Sequence, residues 1–145
     1  MNAGTDAPGY SLENAREFQK RIPFLQQLGI VTESLGAGTA RLALPLRPEL
    51  TNSFGTAHGG ALMTLLDVAL CTAARTLHPE STGVMTIDMS TSFIGTGTGA
   101  RIVAEARVLK NGRSMIFAEA EARTEEGALV AKAIGTVRAL LKEKV

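Results

Sequence analysis

A glycine-rich stretch followed by an apolar segment with one acidic residue holds the side chains that could do chemistry. The stretch reads NSFGTAHGG over residues 52–60, and the acidic residue is Asp67. Glycine at a helix start lets a substrate oxygen approach the backbone, and the free N–H groups there carry the positive end of the helix dipole. His58-Gly59-Gly60 is therefore predicted to form an oxyanion site. The alternative is that the glycine pair only supplies a sharp turn.

Asp67 is unusual because its neighbours along the chain are all apolar, from Leu65 to Leu70. A charged carboxylate is costly to bury without a partner. Helical spacing puts Thr64 and Cys71 on the same face as Asp67, which makes a thin polar stripe on an apolar helix. Two interpretations remain open: a carboxylate that takes part in chemistry, and a solvent-facing stripe or buried structural hydrogen bond.

The separation of Gly59 and Asp67 bears on whether one chain can supply a whole site. At a helical rise of 1.5 Å per residue, the two positions lie roughly 12 Å apart. A reacting carbonyl must lie roughly 3 Å from both the oxyanion donor and the nucleophile or base. If both groups act, the simplest arrangement is a two-fold dimer in which Gly59 of one subunit faces Asp67 of the other, and we predict such composite sites.

Other reactive side chains fit catalysis less well. Cys71 lies about 20 Å along the helix from His58, too far for that histidine to serve as its base, so a buried core thiol is expected. His78 precedes Pro79 and is expected to cap helix carbonyls. Two histidines and one cysteine give no recognised ligand spacing, so no metal site is predicted. The GTGTG segment at 95–99 lacks a following helix and is predicted to be a turn, not a phosphate loop.

The chain ahead of the glycine-rich stretch predicts a loose tail, a short helix and a β-hairpin, over residues 1–10, 11–22, 28–35 and 39–46. Ser11 can cap the helix, and Pro23 is expected to end it. Gly36-Ala37-Gly38 suits the tight turn between the two strands. The second strand alternates with period 2, and Pro45 is expected to mark where it leaves the sheet.

The rest of the chain predicts a long helix and four strands, over residues 60–77, 84–94, 101–109, 114–123 and 128–141. The helix is apolar nearly all round, as in a helix enclosed by its own protein. The first of these strands alternates, with one side formed by Met85, Ile87, Met89 and Phe93 and the other by Thr86, Asp88, Ser90 and Ser92. Asn111-Gly112 predicts a two-residue turn, and the four strands are expected to form a meander. The order indicates an α+β fold whose antiparallel sheet curls around the helix.

Length and composition narrow the classes of protein. The 145 residues suit one domain, taken to span 1–145. Fifteen Lys and Arg against fourteen Asp and Glu, all scattered, give a net charge of +1 and argue against nucleic acid or membrane partners. One cysteine excludes an intramolecular disulfide framework, and neither a signal peptide nor a membrane-spanning run is recognisable. A soluble cytoplasmic protein is expected.

The order of elements, taken with Asn52, Gly55, His58-Gly59-Gly60 and Asp67, resembles the hotdog-fold acyl-CoA thioesterases, particularly the phenylacetate-degradation type. The resemblance runs from the first hairpin to the last strand. It implies a hotdog fold, in which a curled antiparallel sheet of five to six strands wraps around one long central helix. It also implies hydrolysis of an acyl-CoA to free acid and CoA with no metal or redox cofactor, and a homodimer or, as we expect here, a homotetramer.

The same resemblance implies roles for residues near the helix. The backbone N–H of Gly59 polarises the thioester carbonyl, and Gly60 lies beside it in the substrate site. Asp67 acts as the nucleophile or as the general base for water, two roles that the sequence does not separate. His58 and Asn52 match positions that orient the thioester or the water.

Further residues complete the implied site. A hydroxyl on the strand after the helix assists the acid, with Thr86 the best match and Ser90 its competitor. Lys110 and Arg113 match a region that contacts the CoA phosphates, although a solvated hairpin tip is an equal alternative. Met63 is a candidate for the substrate pocket, whose acyl specificity the sequence leaves open between aryl and aliphatic groups.

Two other functions compete with hydrolysis. A hotdog hydratase would arrange its acid and histidine in a different order. A non-catalytic acyl-CoA-binding or structural oligomer would have little reason to place a carboxylate at position 67 on this helix.

Overall fold

The computed structural model describes residues 6–7 and 9–142, with side chains from residue 9 onward. Its N-terminal part contains strands β1 (Asp6–Ala7) and β2 (Tyr10–Ser11) and helices α1 (Leu12–Lys20) and α2 (Pro23–Leu28). A hairpin and the long helix follow: β3 (Val31–Gly36), β4 (Thr39–Pro45) and α3 (Gly59–Thr76), with a 3-10 turn at Pro48–Leu50 between β4 and α3. The last strands are β5 (Gly83–Phe93), β6 (Arg101–Asn111), β7 (Met115–Thr124) and β8 (Leu129–Leu140).

Strands β3 to β8 form one six-stranded antiparallel sheet in the order β3-β4-β6-β7-β8-β5. The predicted hotdog architecture, a curled sheet of this size around a long helix, is confirmed. The prediction that the last four strands form a meander is wrong, because β5 pairs with β8 and lies at the edge of the sheet. Residues 95–99 are therefore a crossover between non-adjacent strands. A Cβ at Gly97 would lie 2.7 Å from the Cβ of Ala57, so glycine lets this crossover pass close to the loop before α3.

Helix α3 packs on the inner face of the sheet and supplies most of the core. Its fully buried side chains meet those of β4, β6 and β8; among them are Leu65, Leu66, Leu70, Leu42, Leu44, Ile102 and Val130. The helix is not apolar all round, however, since Thr64, Asp67, Cys71 and Arg75 are only partly buried on the side that α1 and α2 cover. A hydrogen bond of 3.4 Å from Gln19 Nε2 to Thr72 Oγ1 joins α1 to α3 there.

The N-terminal part contains a helix that the sequence reasoning missed. Ser11 caps α1 as predicted, with the Asn14 N–H donating to its Oγ at 3.0 Å. Helix α1 ends at Lys20, with Arg21 as its C-cap, two residues before Pro23. Pro23 is the first residue of α2, a position where its missing N–H costs nothing. The strand predicted from Leu28 starts only at Val31, after Gly29 has closed α2 with a φ of 74°.

The predicted loose tail at residues 1–10 lies mostly outside the described residues. Where it is described, β1 pairs with β2, and the ring of Tyr10 is buried beneath the N-terminal helices. The described chain contains no helix that is both long and apolar enough to cross a membrane.

A β-bulge in β5 changes which of its side chains face the helix. Thr86 lies opposite Val137 and Asp88 opposite Thr136, so Ile87 is the extra residue. Side chains beyond the bulge exchange faces, and the predicted two-sided alternation of β5 is therefore wrong. Thr86 lies on the buried side of the sheet with Val137, whereas Ser90 lies opposite the exposed Ile134.

The hairpin between β6 and β7 turns two residues later than predicted. Gly112 N donates to Met115 O at 3.0 Å, which makes Arg113-Ser114 the two central residues of the turn. Gly112 is not among the glycines with positive φ. A Cβ there would lie 2.3 Å from the Met115 carbonyl oxygen, so glycine is needed for space and not for its backbone angles.

Candidate active site

Asp67 and Thr86 form a hydrogen-bonded pair between the middle of α3 and the start of β5. Thr86 Oγ1 donates to Asp67 Oδ1 at 2.5 Å, and both residues are partly buried. Among the described residues, Asp67 makes no ion pair and its Oδ2 accepts no hydrogen bond. The partner of this carboxylate is therefore a neutral hydroxyl that fixes one oxygen and leaves the other available. The bulge at Ile87 is what turns Thr86, and not Ser90, towards Asp67.

Cys71 completes this cluster but cannot act as its nucleophile. Its Sγ lies 3.1 Å from Thr86 Oγ1 and 3.9 Å from Asp67 Oδ1. Burial, and after it the negative charge of Asp67, raises the pKa of the Cys71 thiol to about 12, so the thiol stays protonated at neutral pH. The prediction of an ordinary core thiol was incomplete, because Cys71 contacts both polar members of the cluster.

The start of α3 presents a free backbone N–H group. His58 is the N-cap, and its Nδ1 accepts the Gly60 N–H at 2.9 Å, which leaves Nε2 to carry the proton of a neutral ring. Gly59 is the first residue of the helix, and its N–H has no acceptor among the described residues. A Cβ on Gly59 would lie 3.4 Å from the ring of Phe93 near the end of β5. The N–H group that was predicted to be the oxyanion donor is therefore without an acceptor among the described residues and borders the edge strand.

Asn52 serves the loop in front of α3. Its Oδ1 accepts the N–H groups of Phe54 at 2.9 Å and Thr56 at 3.2 Å, and the Thr56 hydroxyl at 3.2 Å. Gly55 takes a φ of 74° within the same turn. The side-chain carbonyl of Asn52 is therefore committed to the turn, and only its amide NH2 remains to contact a ligand.

Other predicted site residues lie away from Asp67. Met63, with 38% of its surface exposed, is on the first turns of α3 and does not line the groove beside Asp67. Lys110 and Arg113 are exposed at the opposite end of α3, where Asn111 Oδ1 is 2.5 Å from His78 Nε2. His78 does not cap carbonyls with its ring as predicted, because that ring binds Asn111 and only its backbone N–H donates, to Arg75 O at 3.0 Å.

A groove of about 360 Å³ lies between α3 and the two N-terminal helices and is lined in part by Asp67. Its walls are mostly apolar, formed by Phe18, Ile22, Phe24, Leu25, Val68 and Val84. The sequence reasoning missed this groove because it missed α2. An apolar group bound in this groove would lie directly beside the Asp67 carboxylate.

The predicted site residues therefore fall into two separate groups on one chain, which the composite-site prediction treats as half-sites. Gly59 lies at the first residue of α3 and Asp67 lies in its middle, so the unbroken helix keeps them roughly 12 Å apart. The carboxylate half contains Asp67, Thr86 and the groove. The amide half contains Gly59, His58 and the exposed ring of Phe93.

Comparison with known proteins agrees with this architecture. Residues 54–131 match the family model described as the thioesterase superfamily. A thioesterase family protein from Silicibacter pomeroyi is 30% identical with a TM-score of 0.82, over 88% of this chain and 96% of that one. The medium/long-chain acyl-CoA thioesterase YigI of Escherichia coli is 26% identical over 82% of this chain and 86% of its own length.

The fold is also that of the PaaI protein from the phenylacetic acid degradation operon of Escherichia coli. That structure has a TM-score of 0.80 at 21% identity and covers 88% of this chain and 91% of its own. The predicted resemblance to the hotdog-fold thioesterases is confirmed. Because the family model spans more than half of the chain, including the start of α3, Asp67 and Thr86, the protein belongs to the thioesterase superfamily.

Proposed function

We propose that this thioester hydrolase acts on acyl-CoA, releasing a free carboxylic acid and CoA, with Asp67 as the catalytic carboxylate. The observation that carries the proposal is the Asp67–Thr86 pair: a partly buried carboxylate that has no cationic partner among the described residues, is held by one hydroxyl and is open to an apolar groove. A structural carboxylate would be expected to have its second oxygen bound as well. The acyl-CoA class is supported by the similarity to YigI.

Two chemical routes fit this carboxylate. In the first, Asp67 attacks the thioester carbonyl carbon, CoA leaves as thiolate, and water then hydrolyses the acyl anhydride. In the second, Asp67 takes a proton from water while the water oxygen attacks the same carbon; the tetrahedral intermediate then expels CoA as its thiolate, which takes up that proton. In both routes the Thr86 hydroxyl positions the carboxylate, and the free N–H of Gly59 stabilises the charge that develops on the carbonyl oxygen. His58 Nε2 and the Asn52 amide NH2 are available to orient the thioester or the water. Gly60 keeps the backbone open next to the carbonyl.

We propose further that the two half-sites combine in a homodimer. Strand β5 pairs only with β8, and among the described strands none covers its other edge. That edge strand has eleven residues and carries exposed apolar side chains at Met85, Ile87 and Phe93, which favours pairing with another chain.

The position of the half-sites along β5 gives the register of this pairing. Thr86 contacts Asp67, and Phe93 lies against Gly59. If two copies of β5 pair antiparallel with Thr86 opposite the partner's Phe93, and Ile87 stays outside the pairing as the extra residue of the bulge, the two-fold axis passes through Ser90. The partner's Gly59 then comes next to Asp67, and each dimer holds two composite sites.

The remaining assignments are proposals of the same kind. The exposed Phe117 and Ile134 on the outer face of the sheet support a second interface and hence a homotetramer. Lys110 and Arg113 make no ion pair among the described residues, which keeps both free for CoA phosphates. Both residues lie beyond the C-terminal end of α3, far from Gly59 of the same chain. If they bind the CoA phosphates, they serve the composite site to which their own chain contributes Asp67. We also propose a cytoplasmic enzyme that needs no metal.

Thiol release from a panel of acyl-CoAs tests the function, with Asp67→Asn as the matched variant because it keeps the shape and a hydrogen-bond acceptor for Thr86. We expect turnover by the wild-type protein and a loss of at least a hundredfold in the variant. Binding of every acyl-CoA without thiol release would favour a non-catalytic module. Turnover that Asp67→Asn leaves unchanged would remove Asp67 from the mechanism.

A further inference from the structure

The groove beside Asp67 has a second charged residue, and the proposed chemistry does not use it. Arg75 lines the same groove, eight residues after Asp67 on α3. This spacing places Arg75 roughly 12 Å farther along the helix axis and about 80° round it from Asp67, where both residues still border the groove. The groove therefore has a carboxylate at one end, a guanidinium at the other, and apolar walls between them.

The guanidinium of Arg75 contacts aromatic rings but has no hydrogen-bond acceptor and no carboxylate partner within the described chain. It makes no ion pair and no hydrogen bond there, and its Nε is buried without an acceptor. It lies over two aromatic rings, 5.1 Å from the Tyr10 centroid and 5.8 Å from the Phe18 centroid. Burial raises the pKa of Tyr10, so this phenol is neutral and cannot balance the charge. The site thus contains a cation with an unsatisfied donor.

A purely structural role for Arg75 accounts for only part of this arrangement. An arginine in the last turn of a helix interacts favourably with the helix dipole, and stacking on aromatic rings adds to that. Neither interaction gives an acceptor to the terminal Nη groups, which, unlike the buried Nε, are donors that a bound group can reach. Arginine donors in proteins pair best with a carboxylate, which accepts two parallel hydrogen bonds from the planar guanidinium.

We propose that the acyl group of the preferred substrate ends in a carboxylate that pairs with Arg75. This inference rests on the proposed hydrolysis, and it makes Arg75 a specificity-determining residue. Arg75 Nη1 lies 3.9 Å from the place that a Cβ on Gly83 would take, at the start of β5, so the guanidinium stays near the level of Arg75 on α3 and roughly 10–12 Å from a carbonyl beside Asp67. A straight dicarboxylic acyl chain of about six to eight carbons fits that gap, with its methylenes against the apolar walls.

The charges at the two ends of the groove also set the direction of binding. A terminal carboxylate is repelled by Asp67 and attracted by Arg75, so the thioester end is left beside Asp67. A neutral alkyl chain of equal length fills the same walls but leaves the Arg75 donors unpaired. The preference between the two kinds of chain is the quantity to measure.

The test compares acyl-CoAs of equal length that differ only at the far end: adipyl-CoA with hexanoyl-CoA, and suberyl-CoA with octanoyl-CoA. We expect the wild-type enzyme to favour the carboxylate-ended member of at least one pair by about ten- to a hundredfold in kcat/KM. Arg75→Met, which keeps the apolar stem, should abolish the preference mainly through KM, and Arg75→Lys should retain part of it. Arg138→Met, an exposed site on the outer face of the sheet, is the matched control and should change nothing.

Two results would overturn the inference. One is a wild-type preference for the neutral chain in both pairs, a result that needs no variant to fold. The other is an unchanged preference in Arg75→Met. Affinity of the same four acyl-CoAs for the Asp67→Asn protein separates this inference from the proposed function: tighter binding of the carboxylate-ended chains supports the role of Arg75 even if no thiol is released, and equal binding contradicts it.

Discussion

Removal of the Thr86 hydroxyl should lower activity strongly while leaving the fold intact. In Thr86→Val the side chain keeps its size and its β-branched shape, which suits a strand. The change deletes one hydroxyl-to-carboxylate hydrogen bond of 2.5 Å in a partly buried site. Hydrogen bonds to a charged group contribute about 1.5–3 kcal/mol. If that energy positions Asp67 in the transition state, kcat/KM should fall about ten- to a hundredfold, since about 1.4 kcal/mol is a factor of ten.

The matched control lies on the same face of the same strand. Thr91 lies opposite the buried Ala133, and its Oγ1 is buried without a hydrogen-bond partner. Thr91→Val should leave kcat/KM unchanged and raise the free energy of unfolding by about 1 kcal/mol, because it removes an unsatisfied buried hydroxyl. Thr86→Ser, which restores the hydroxyl, should recover most of the lost activity.

A double-mutant cycle separates positioning from a general structural effect. If Thr86 acts through the carboxylate, Thr86→Val in an Asp67→Asn background should change kcat/KM by less than about twofold. Thiol release under kcat/KM conditions provides the rates, and urea unfolding provides the stability of each variant. An equal loss in both backgrounds, or a Thr86→Val enzyme as active as wild type, would refute the positioning role.

Two further predictions follow from the same cluster and from the start of α3. Gly59→Ala should fold with nearly unchanged stability, because its Cβ meets only the edge of the Phe93 ring at 3.4 Å. Its kcat should nevertheless fall at least tenfold if the thioester carbonyl must approach the backbone. Thermal unfolding and steady-state kinetics check both expectations, and full activity would count against the oxyanion role. Cys71, with its pKa raised from 9.0 to about 12, should resist alkylation in the folded state at pH 8, and rapid labelling at that pH would show that the thiol is not shielded. The free energy of unfolding should decrease from about pH 9 towards pH 12, because the thiol ionises first in the unfolded chain.

The elements that follow from local patterning were predictable from the sequence. The capping serine of α1, the hairpin around Gly38 and the long apolar α3 are set by short-range spacing, and the structure contains all of them. Helix α2 was missed because proline was interpreted as an ending, although it also suits a first helical turn. The pairing of β5 with β8 was missed because strand order depends on long-range contacts that no local pattern records.

The candidate site was predictable in its residues and not in its geometry. The carboxylate at Asp67 and the glycines at the helix start stand out chemically, but the face on which Thr86 lies depends on the bulge at Ile87. Nothing in the local alternation of β5 marks that extra residue. The charged end of the groove at Arg75 depends on α1 and α2 folding back over α3, which the sequence did not reveal.

Subunit complementation tests the central claim, that Asp67 of one chain works with Gly59 of another, most directly. Asp67→Asn and Gly59→Val proteins, each inactive alone, are mixed, allowed to exchange subunits, and assayed for thiol release once mass measurement has verified the hybrids. In a hybrid dimer one of the two composite sites contains both intact halves. The account predicts that a random mixture recovers about one quarter of wild-type activity, because half of the dimers are hybrids and each has one working site. No recovery in verified hybrids would contradict a site shared between subunits.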